Sequence, residues 1–316
     1  MTRSGSPVSD RGIRSMIGEM PSNSVSSTAA VGVITVSFGS DAVLPGFLAS
    51  ISASSARQLR VIVADNKADD GSISTLVRRA GFDYLPMTGN LGYGAAINAA
   101  VATLPAEIEW LVIGNPDITI DTGAIDTLIA RAESNPRIAL VGPRIVDEAG
   151  VIYPSARSIP SLRTGVGHAL FANIWPTNPW SSAYHNDRTE MLKARTSGWL
   201  SGAFFLARRS AFEQLGGFDE HFFMYFEDVD LGYRMGKAGW LCVYEPAATV
   251  VHSGAHSTAT DSSAMVREHH LSARKFLMRK YSGWALWPVR VALRAGLWTR
   301  LAVVRLRRSR SGPSVH

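Results

Sequence analysis

The chain has one cysteine, Cys242, in 316 residues, so no disulfide can form within it and a reducing, cytoplasmic setting is expected. Its first 30 residues hold no continuous apolar stretch of the secretory kind. They are rich in Ser and Gly and poor in large apolar groups, so residues 1–30 are expected to form a disordered leader. Charged residues make up only 18% of the chain against 46% hydrophobic ones, ample for a packed core in one large domain or two ordinary ones.

Acids are nearly missing from the C-terminal end. From Arg267 onward twelve Lys and Arg face one acid, Glu268, a net of +11 that leaves the first 266 residues at −5. Within residues 281–316, Trp284, Trp287 and Trp298 mix with aliphatics while Arg290, Arg294, Arg300 and Arg305 recur every few positions. Those arginines argue against a spanning helix, which needs about 20 predominantly apolar residues. A basic amphipathic helix lying on anionic lipid fits better, so 281–316 is read as a tail that associates peripherally with the inner face of the cytoplasmic membrane. Trp287 and Leu301 project near the side of Arg290 and Arg294, which keeps a helix packed on the rest of the chain as the alternative. No nucleic-acid recognition module is present, and no nucleic-acid partner is expected.

What the chain does have, from Val31 onward, is an alternation of short β-branched runs with longer amphipathic ones. VGVITVS leads to a helical stretch near 42–54, RVIVADN to 72–80, FDYLPM to 94–104 and WLVIGN to 122–134. This predicts an α/β fold with a mainly parallel central sheet and flanking helices. In such sheets ligands bind beyond the carboxyl ends of the strands. Those ends carry Ser37-Phe38-Gly39, Asp65-Asn66, Asn90 and Asn115-Pro116-Asp117. Any one is ordinary turn chemistry; four together favour a nucleotide site.

The loop GNLGYGAAIN, residues 89–98, spaces its glycines as GxxGxG, so the GxGxxG dinucleotide fingerprint is absent and a nucleotide-cofactor oxidoreductase is disfavoured. Asn90 and Asn98 offer amide donors and acceptors there. In the NPD run Pro116 restrains the turn and leaves the Asp117 carboxylate at a strand end, where it can hold a divalent metal against a diphosphate. Past Val141, Pro- and Trp-rich stretches such as YPSARSIPSL and NIWPTNPWSSAYHN read as lids or specificity loops. TSGWLSGAFFLARRSAF reads as one strand, and His252 closes an apolar strand in VVHSGAHS. An oxygen-rich site with one imidazole suits Mg or Mn. The stretch GGFDEHFFMYFEDVDLGYRMGKAGW sets Asp219, Glu227, Asp228 and Asp230 among aromatics, with a helix starting near Glu227 whose first turn is acidic and whose last turns hold Arg234 and Lys237. An acid-capped helix behind an aromatic plug and a pocket floor are both open on this stretch alone.

Taken in order, DN, GNLGYGAAIN, NPD, SGAFFLARRSAF, the acidic aromatic stretch and VVHSGAHS resemble the family-2 inverting glycosyltransferases of GT-A fold, over residues 31–280. The resemblance implies a nucleotide-binding half at 31–145 and an acceptor and catalytic half at 146–280. Within the family, YPSARSIPSL, NPWSSAY and MYFEDVDLGYRMGKAGW are most similar to actinobacterial cell-wall rhamnosyltransferases. That implies transfer of L-rhamnose from dTDP-L-rhamnose to a polyprenyl-diphosphate-linked N-acetylglucosamine in cell-wall linker synthesis. A galactofuranosyl- or other hexosyltransferase on a lipid-linked acceptor is the alternative, and a non-catalytic sugar-nucleotide or lipid-binding module is the rival of another class. By the same resemblance Ser37, Asp65, Asn66, Asn90, Gly92, Asn98 and Asn115 line the donor nucleotide, and Asp117 with His252 holds Mg or Mn. Trp199, Gly202 and Arg267 face the acceptor; Asp228, paired with Glu227, is the catalytic base. The first acid of the family's DxD motif is replaced by Asn115, and Ser37-Phe38-Gly39 stands where the family has a Tyr-Asn pair. A homo-oligomer is also open.

Overall fold

The computed structural model describes residues 30–68, 71–161, 191–254 and 262–288, together with residue 291. The expected leader, the NIWPTNPWSSAYHN segment and the tail arginines at 290, 294, 300 and 305 lie outside the described residues, as does Trp298.

The first half alternates strand and helix as its periodicity predicts. β1 (Ala30–Ser37), α1 (Leu44–Ser54), β2 (Leu59–Asp65), α2 (Ser72–Arg79), β3 (Asp83–Pro86), α3 (Tyr93–Thr103), β4 (Ile108–Gly114), β5 (Ile118–Ile120) and α4 (Ala124–Glu133) follow in order. In α1, Pro45 occupies the first turn, and Leu44, Phe47, Leu48 and Ile51 repeat at helical spacing to bury one face. Then come β6 (Ile138–Val146), β7 (Ile152–Tyr153), β8 (Ala156–Arg157), β9 (Arg195–Ser197), β10 (Trp199–Leu200), β11 (Phe204–Arg208), α5 (Arg209–Gln214), α6 (Glu227–Lys237), β12 (Leu241–His252) and α7 (Ser262–Lys280).

The main sheet runs β3-β2-β1-β4-β11-β6-β12-β5, with β7 beside β6 and β9 beside β12. Six of those eight strands point the same way; β11 enters antiparallel between β4 and β6, and β5 pairs antiparallel with β12. Successive residues of the parallel strands bury on opposite faces, as the two-residue strand repeat requires. Val31, Val33, Trp110 and Val112 meet α1, α2 and α4, whereas Ile34, Val36, Leu111 and Ile113 meet α3, α5 and α6. A third apolar cluster, around Phe222, Val229 and Phe276, joins α6 to α7.

One expectation is corrected. TSGWLSGAFFLARRSAF does not form a single strand: β10 pairs with β8 in a separate two-stranded ladder, residues 201–203 turn away, and only then does β11 join the main sheet before α5. The run interleaves small and large uncharged residues with no proline and no charge before Arg208, so nothing local marks where the chain leaves one sheet for the other. That turn builds the site.

Candidate active site

The strand ends converge as expected. The Asn66 N–H donates to the Ser37 carbonyl at 2.9 Å, joining the ends of β1 and β2. Asp65 is buried, accepting from the Tyr84 hydroxyl at 3.0 Å and the Lys67 N–H at 3.1 Å. The Asn66 amide donates to the Gly92 carbonyl at 3.1 Å, and the Asn90 side chain accepts from the Gly92 N–H at 3.1 Å. Ser37, Asp65, Asn66, Asn90 and Gly92 therefore share one corner. Gly92 has φ +86, and a Cβ there would lie 2.3 Å from the Phe223 carbonyl oxygen, so only glycine lets this loop seat against residue 223. The Ser37 hydroxyl is buried with no partner among the described residues, a polar atom available at that corner.

Asn98 does not join them. Its amide nitrogen donates to the Phe218 carbonyl at 2.9 Å and to Glu220 at 3.1 Å, and its oxygen accepts from the Phe218 N–H at 3.0 Å. It clamps the start of the acidic aromatic segment onto α3 instead of facing that corner.

At the end of β4, Asn115 donates its N–H to the Ala203 carbonyl at 2.9 Å. The Asn115 amide lies 3.5 Å from His252 Nε2, and His252 Nε2 lies 3.1 Å from Asp117 Oδ1. Antiparallel pairing of β5 with β12, with His252 opposite Ile118, brings NPD and the distant histidine together. Adjacent ligands of an octahedral ion bound at about 2.1 Å lie about 3 Å apart, so the Asp117–His252 pair has the spacing of one edge of such a site. No group of three or more His, Cys, Asp and Glu side chains arranged for a metal occurs among the described residues. A hard cation commonly completes two protein ligands with substrate phosphates and water, and the pair fits that use.

The acidic pair sits at the N-terminus of α6. Tyr225 and Phe226 immediately before it take left-handed backbone conformations, φ 65 and 67, which aromatic residues rarely adopt. Strain of that kind is held only where surrounding packing enforces it. Here Phe226 packs on Phe276, and Ser272 donates to the Met224 carbonyl at 2.9 Å, both from α7. The turn delivers Asp228 to the 201–203 loop: Oδ2 accepts the Gly202 N–H at 2.9 Å and Oδ1 accepts the Val229 N–H at 2.8 Å. Burial raises the Asp228 carboxyl above its ordinary range, outweighing those hydrogen bonds and the nearby Arg157 charge. Glu227 is 7% exposed, and its Oε2 has no partner among the described residues. Burial, then the Asp228 charge, pushes its carboxyl up to about 8. Two like charges in one buried site disfavour each other, so one carboxyl of the pair stays protonated into the neutral range while the other is able to accept a proton from a hydroxyl.

The other two acids are structural. Asp230, wholly buried, accepts from Arg234 at 2.6 Å and from Arg279 of α7 at 2.6 Å, and Arg279 also pairs with Asp219. Arg234 further donates to the carbonyls of Leu215 at 2.9 Å and Gly217 at 2.8 Å.

Trp199 lies beneath this site, its indole donating to the Ser158 carbonyl at 3.1 Å and its Cβ pressed against Gly232 of α6, where an added methyl would come 2.6 Å away. Gly202 is in the site itself. Arg267 is exposed on α7 and makes no hydrogen bond or ion pair with the other site residues among those described. Sequence reasoning missed Tyr93 and Arg157. The Tyr93 hydroxyl donates to the Gly202 carbonyl at 2.7 Å, across 109 residues, and its own ionisation is pushed well above the usual range by burial, then Glu227, Asp228 and Asp117. Tyr93 stood inside a loop already singled out, but a contact of that sequence separation leaves no local pattern.

A family model described as "Glycosyltransferase like family 2" matches residues 29–271. The chain is 44% identical over 296 residues, 90% of its length and 96% of the relative's, to the N-acetylglucosaminyl-diphospho-decaprenol L-rhamnosyltransferase of Mycobacterium tuberculosis. It is 30% identical over 255 residues, 78% of its length and 92% of the relative's, to the rhamnosyltransferase WbbL of Escherichia coli K12. Among solved structures it resembles a mannosyltransferase from Pyrobaculum calidifontis in complex with GDP-Man and Mn2+, at TM-score 0.54 and 16% identity, covering 90% of this chain and 76% of that one, a likeness of fold. With these relatives and this mixed α/β sheet, the chain belongs to the family-2 glycosyltransferases and has their GT-A architecture.

Proposed function

We propose that the chain transfers L-rhamnose, with inversion, from dTDP-L-rhamnose to N-acetylglucosamine carried on a polyprenyl diphosphate in cell-wall linker synthesis. The observation that carries this reading is the near full-length similarity to a relative named for that transfer, joined to an acidic pair whose geometry suits an acceptor base.

Asp228 accepts the proton of the acceptor hydroxyl as its oxygen bonds to the anomeric carbon of the donor. The bond from that carbon to the diphosphate oxygen breaks, and its electron pair leaves with the nucleoside diphosphate. Backbone bonds from Gly202 and Val229 hold one direction on each Asp228 oxygen and leave the others to the substrate. Protonated Glu227 keeps a second negative charge away from Asp228, and Tyr93 holds the Gly202 peptide in place. Asp65, Asn66, Asn90 and Gly92 line the nucleotide. Asp117 and His252 are the residues that would hold Mg or Mn, which supplies positive charge to the departing diphosphate.

The acceptor lipid stays in the membrane, and no helix among the described residues is long and apolar enough to cross one. Peripheral attachment through the basic C-terminal tail fits both. Trp284 and Trp287 at its start are exposed, 87% and 61%.

The test is a donor panel: dTDP-rhamnose, UDP-galactofuranose and other nucleotide hexoses, each offered with a short-chain diphospho-N-acetylglucosamine lipid. Rhamnosylated product from dTDP-rhamnose, with inverted anomeric configuration, is expected. Faster turnover of another hexose donor would overturn the rhamnosyl reading and leave the family intact.

A further inference from the structure

Arg157 stands opposite Trp199 in the two-stranded ladder of β8 and β10. Its guanidinium carbon lies 5.4 Å from the Tyr153 ring centroid and 5.7 Å from that of Trp199, and its Nε donates to the Pro154 carbonyl at 2.7 Å. Three contacts thus fix the plane of the fork, while its two terminal nitrogens take no partner among the described residues. The side chain is only partly exposed. A guanidinium that gives up water on one face without gaining an anion is an unusual investment of positive charge.

The ladder leads directly to the base. The Gly198 N–H donates to the Arg157 carbonyl at 2.9 Å, the Ser201 N–H donates to the Ser155 carbonyl at 2.7 Å, and the next residue, Gly202, donates to Asp228 at 2.9 Å. The Arg157 charge reaches Asp228, opposing the effect of burial on that carboxyl. The metal-fitting pair Asp117 and His252 instead lies where β5 meets β12 of the main sheet, so Arg157 brings its positive charge toward Asp228 from a different element.

A planar fork with two free donors matches two oxygens of a phosphate group better than it matches a sugar hydroxyl. In an acceptor of the class proposed above, the diphosphate leaves the sugar at its anomeric carbon, one ring away from the hydroxyl that must reach Asp228. We propose that Arg157 holds the diphosphate of the lipid-linked acceptor and so presents the acceptor hydroxyl to Asp228. This rests on the reading of the acceptor as a diphosphate-linked sugar. It makes Arg157 a determinant of acceptor specificity, through which the enzyme selects diphosphate-linked sugars over uncharged glycosides.

The full chain is assayed with dTDP-rhamnose and two acceptors of equal alkyl length, a diphospho-N-acetylglucosamine lipid and the uncharged N-acetylglucosaminide. Wild type is expected to favour the diphosphate. Arg157→Met should lower kcat/KM on it about 10- to 100-fold more than on the uncharged acceptor, chiefly through acceptor KM, as for loss of a charge-assisted hydrogen-bonded pair. Arg157→Lys, which keeps the charge and loses the fork, should fall between. Equal losses on both acceptors would show that Arg157 only packs Trp199 and Tyr153, and the proposal would fail. A rise confined to donor KM would move the fork to the donor diphosphate and overturn it too. Wild type that uses both acceptors equally has no such selectivity, which sinks the proposal while leaving the transferase reading standing. Transfer to neither acceptor would overturn the acceptor reading itself.

Discussion

Gly202 donates its backbone N–H to Oδ2 of Asp228 at 2.9 Å, across 26 residues of sequence. Because Val229 donates to the other oxygen at 2.8 Å, both oxygens of the carboxylate already accept from the backbone. An Asn at this position can offer only one acceptor oxygen; its NH2 must face an N–H donor. Asp228→Asn should therefore cost about 1 kcal/mol of stability as well as the base. A positioned base contributes about 10²- to 10⁴-fold, so kcat should fall at least about 100-fold while dTDP binding stays within a few fold. Turnover assays with calorimetric dTDP titration check this. Retention of about a tenth of wild-type kcat would remove Asp228 as the base.

Glu227 sets a pH dependence of stability. Its folded carboxyl titrates at about 8 against 4.5 ordinarily, so between those values the folded state holds more protons than the unfolded one and stability falls as pH rises. Glu227→Gln removes that titration. In urea denaturation at pH 5, 7 and 8.5 the variant's unfolding free energy should decline less than wild type's, with the larger gain at the highest pH. Parallel profiles would mean that Glu227 ionises normally.

Asp117 and His252 are expected to act together. Asp117→Ala and His252→Ala should each weaken Mn-dependent dTDP binding by at least about tenfold, and EDTA should reproduce the loss in wild type. Undiminished dTDP binding and turnover in EDTA would point to a metal-independent enzyme.

Arg279 ties α7 to the site through Asp230 and Asp219. Arg279→Met leaves Asp230 with Arg234 alone and should lower stability by about 1–3 kcal/mol at pH 7. Asp219 is held at about 2, below its ordinary 3.8, despite an opposing effect of burial, by hydrogen bonds from His221 and by the bond and charge of Arg279. Its stabilisation is present above pH 3.8 and lost as pH falls toward 2, so the gap between variant and wild type should narrow below pH 3. A gap of equal size at pH 7 and pH 2.5 would contradict the ion-pair account.

Removal of the chain from Trp284 onward should shift the protein from anionic liposomes to the supernatant, since each basic residue near an anionic surface adds roughly 1 kcal/mol. Turnover of a short soluble acceptor should survive better than turnover of the long polyprenyl one. Liposome binding that ignores both the deletion and raised salt would make the tail a packing element.

Much of the corner where β1, β2 and residues 90–92 meet was legible in the sequence, because strand ends in a parallel sheet are read from two-residue periodicity and short polar turns. Asp65, Asn66, Asn90 and Gly92 meet where the βα repeats place them. The α6 boundary was legible too, since an acidic first turn and basic last turns mark a helix locally. Only the tertiary structure decided how residues 199–208 divide between two sheets, which puts the Gly202 amide on Asp228, and that Asn98 clamps a segment instead of facing the corner of Asp65, Asn66, Asn90 and Gly92. It alone separated the four acids, sending Asp219 and Asp230 into an ion-pair network and leaving Glu227 and Asp228 at the site. The reason is range: periodicity, caps and turns are written in neighbouring residues, whereas a carboxylate's partners and burial depend on chain segments that only folding brings together.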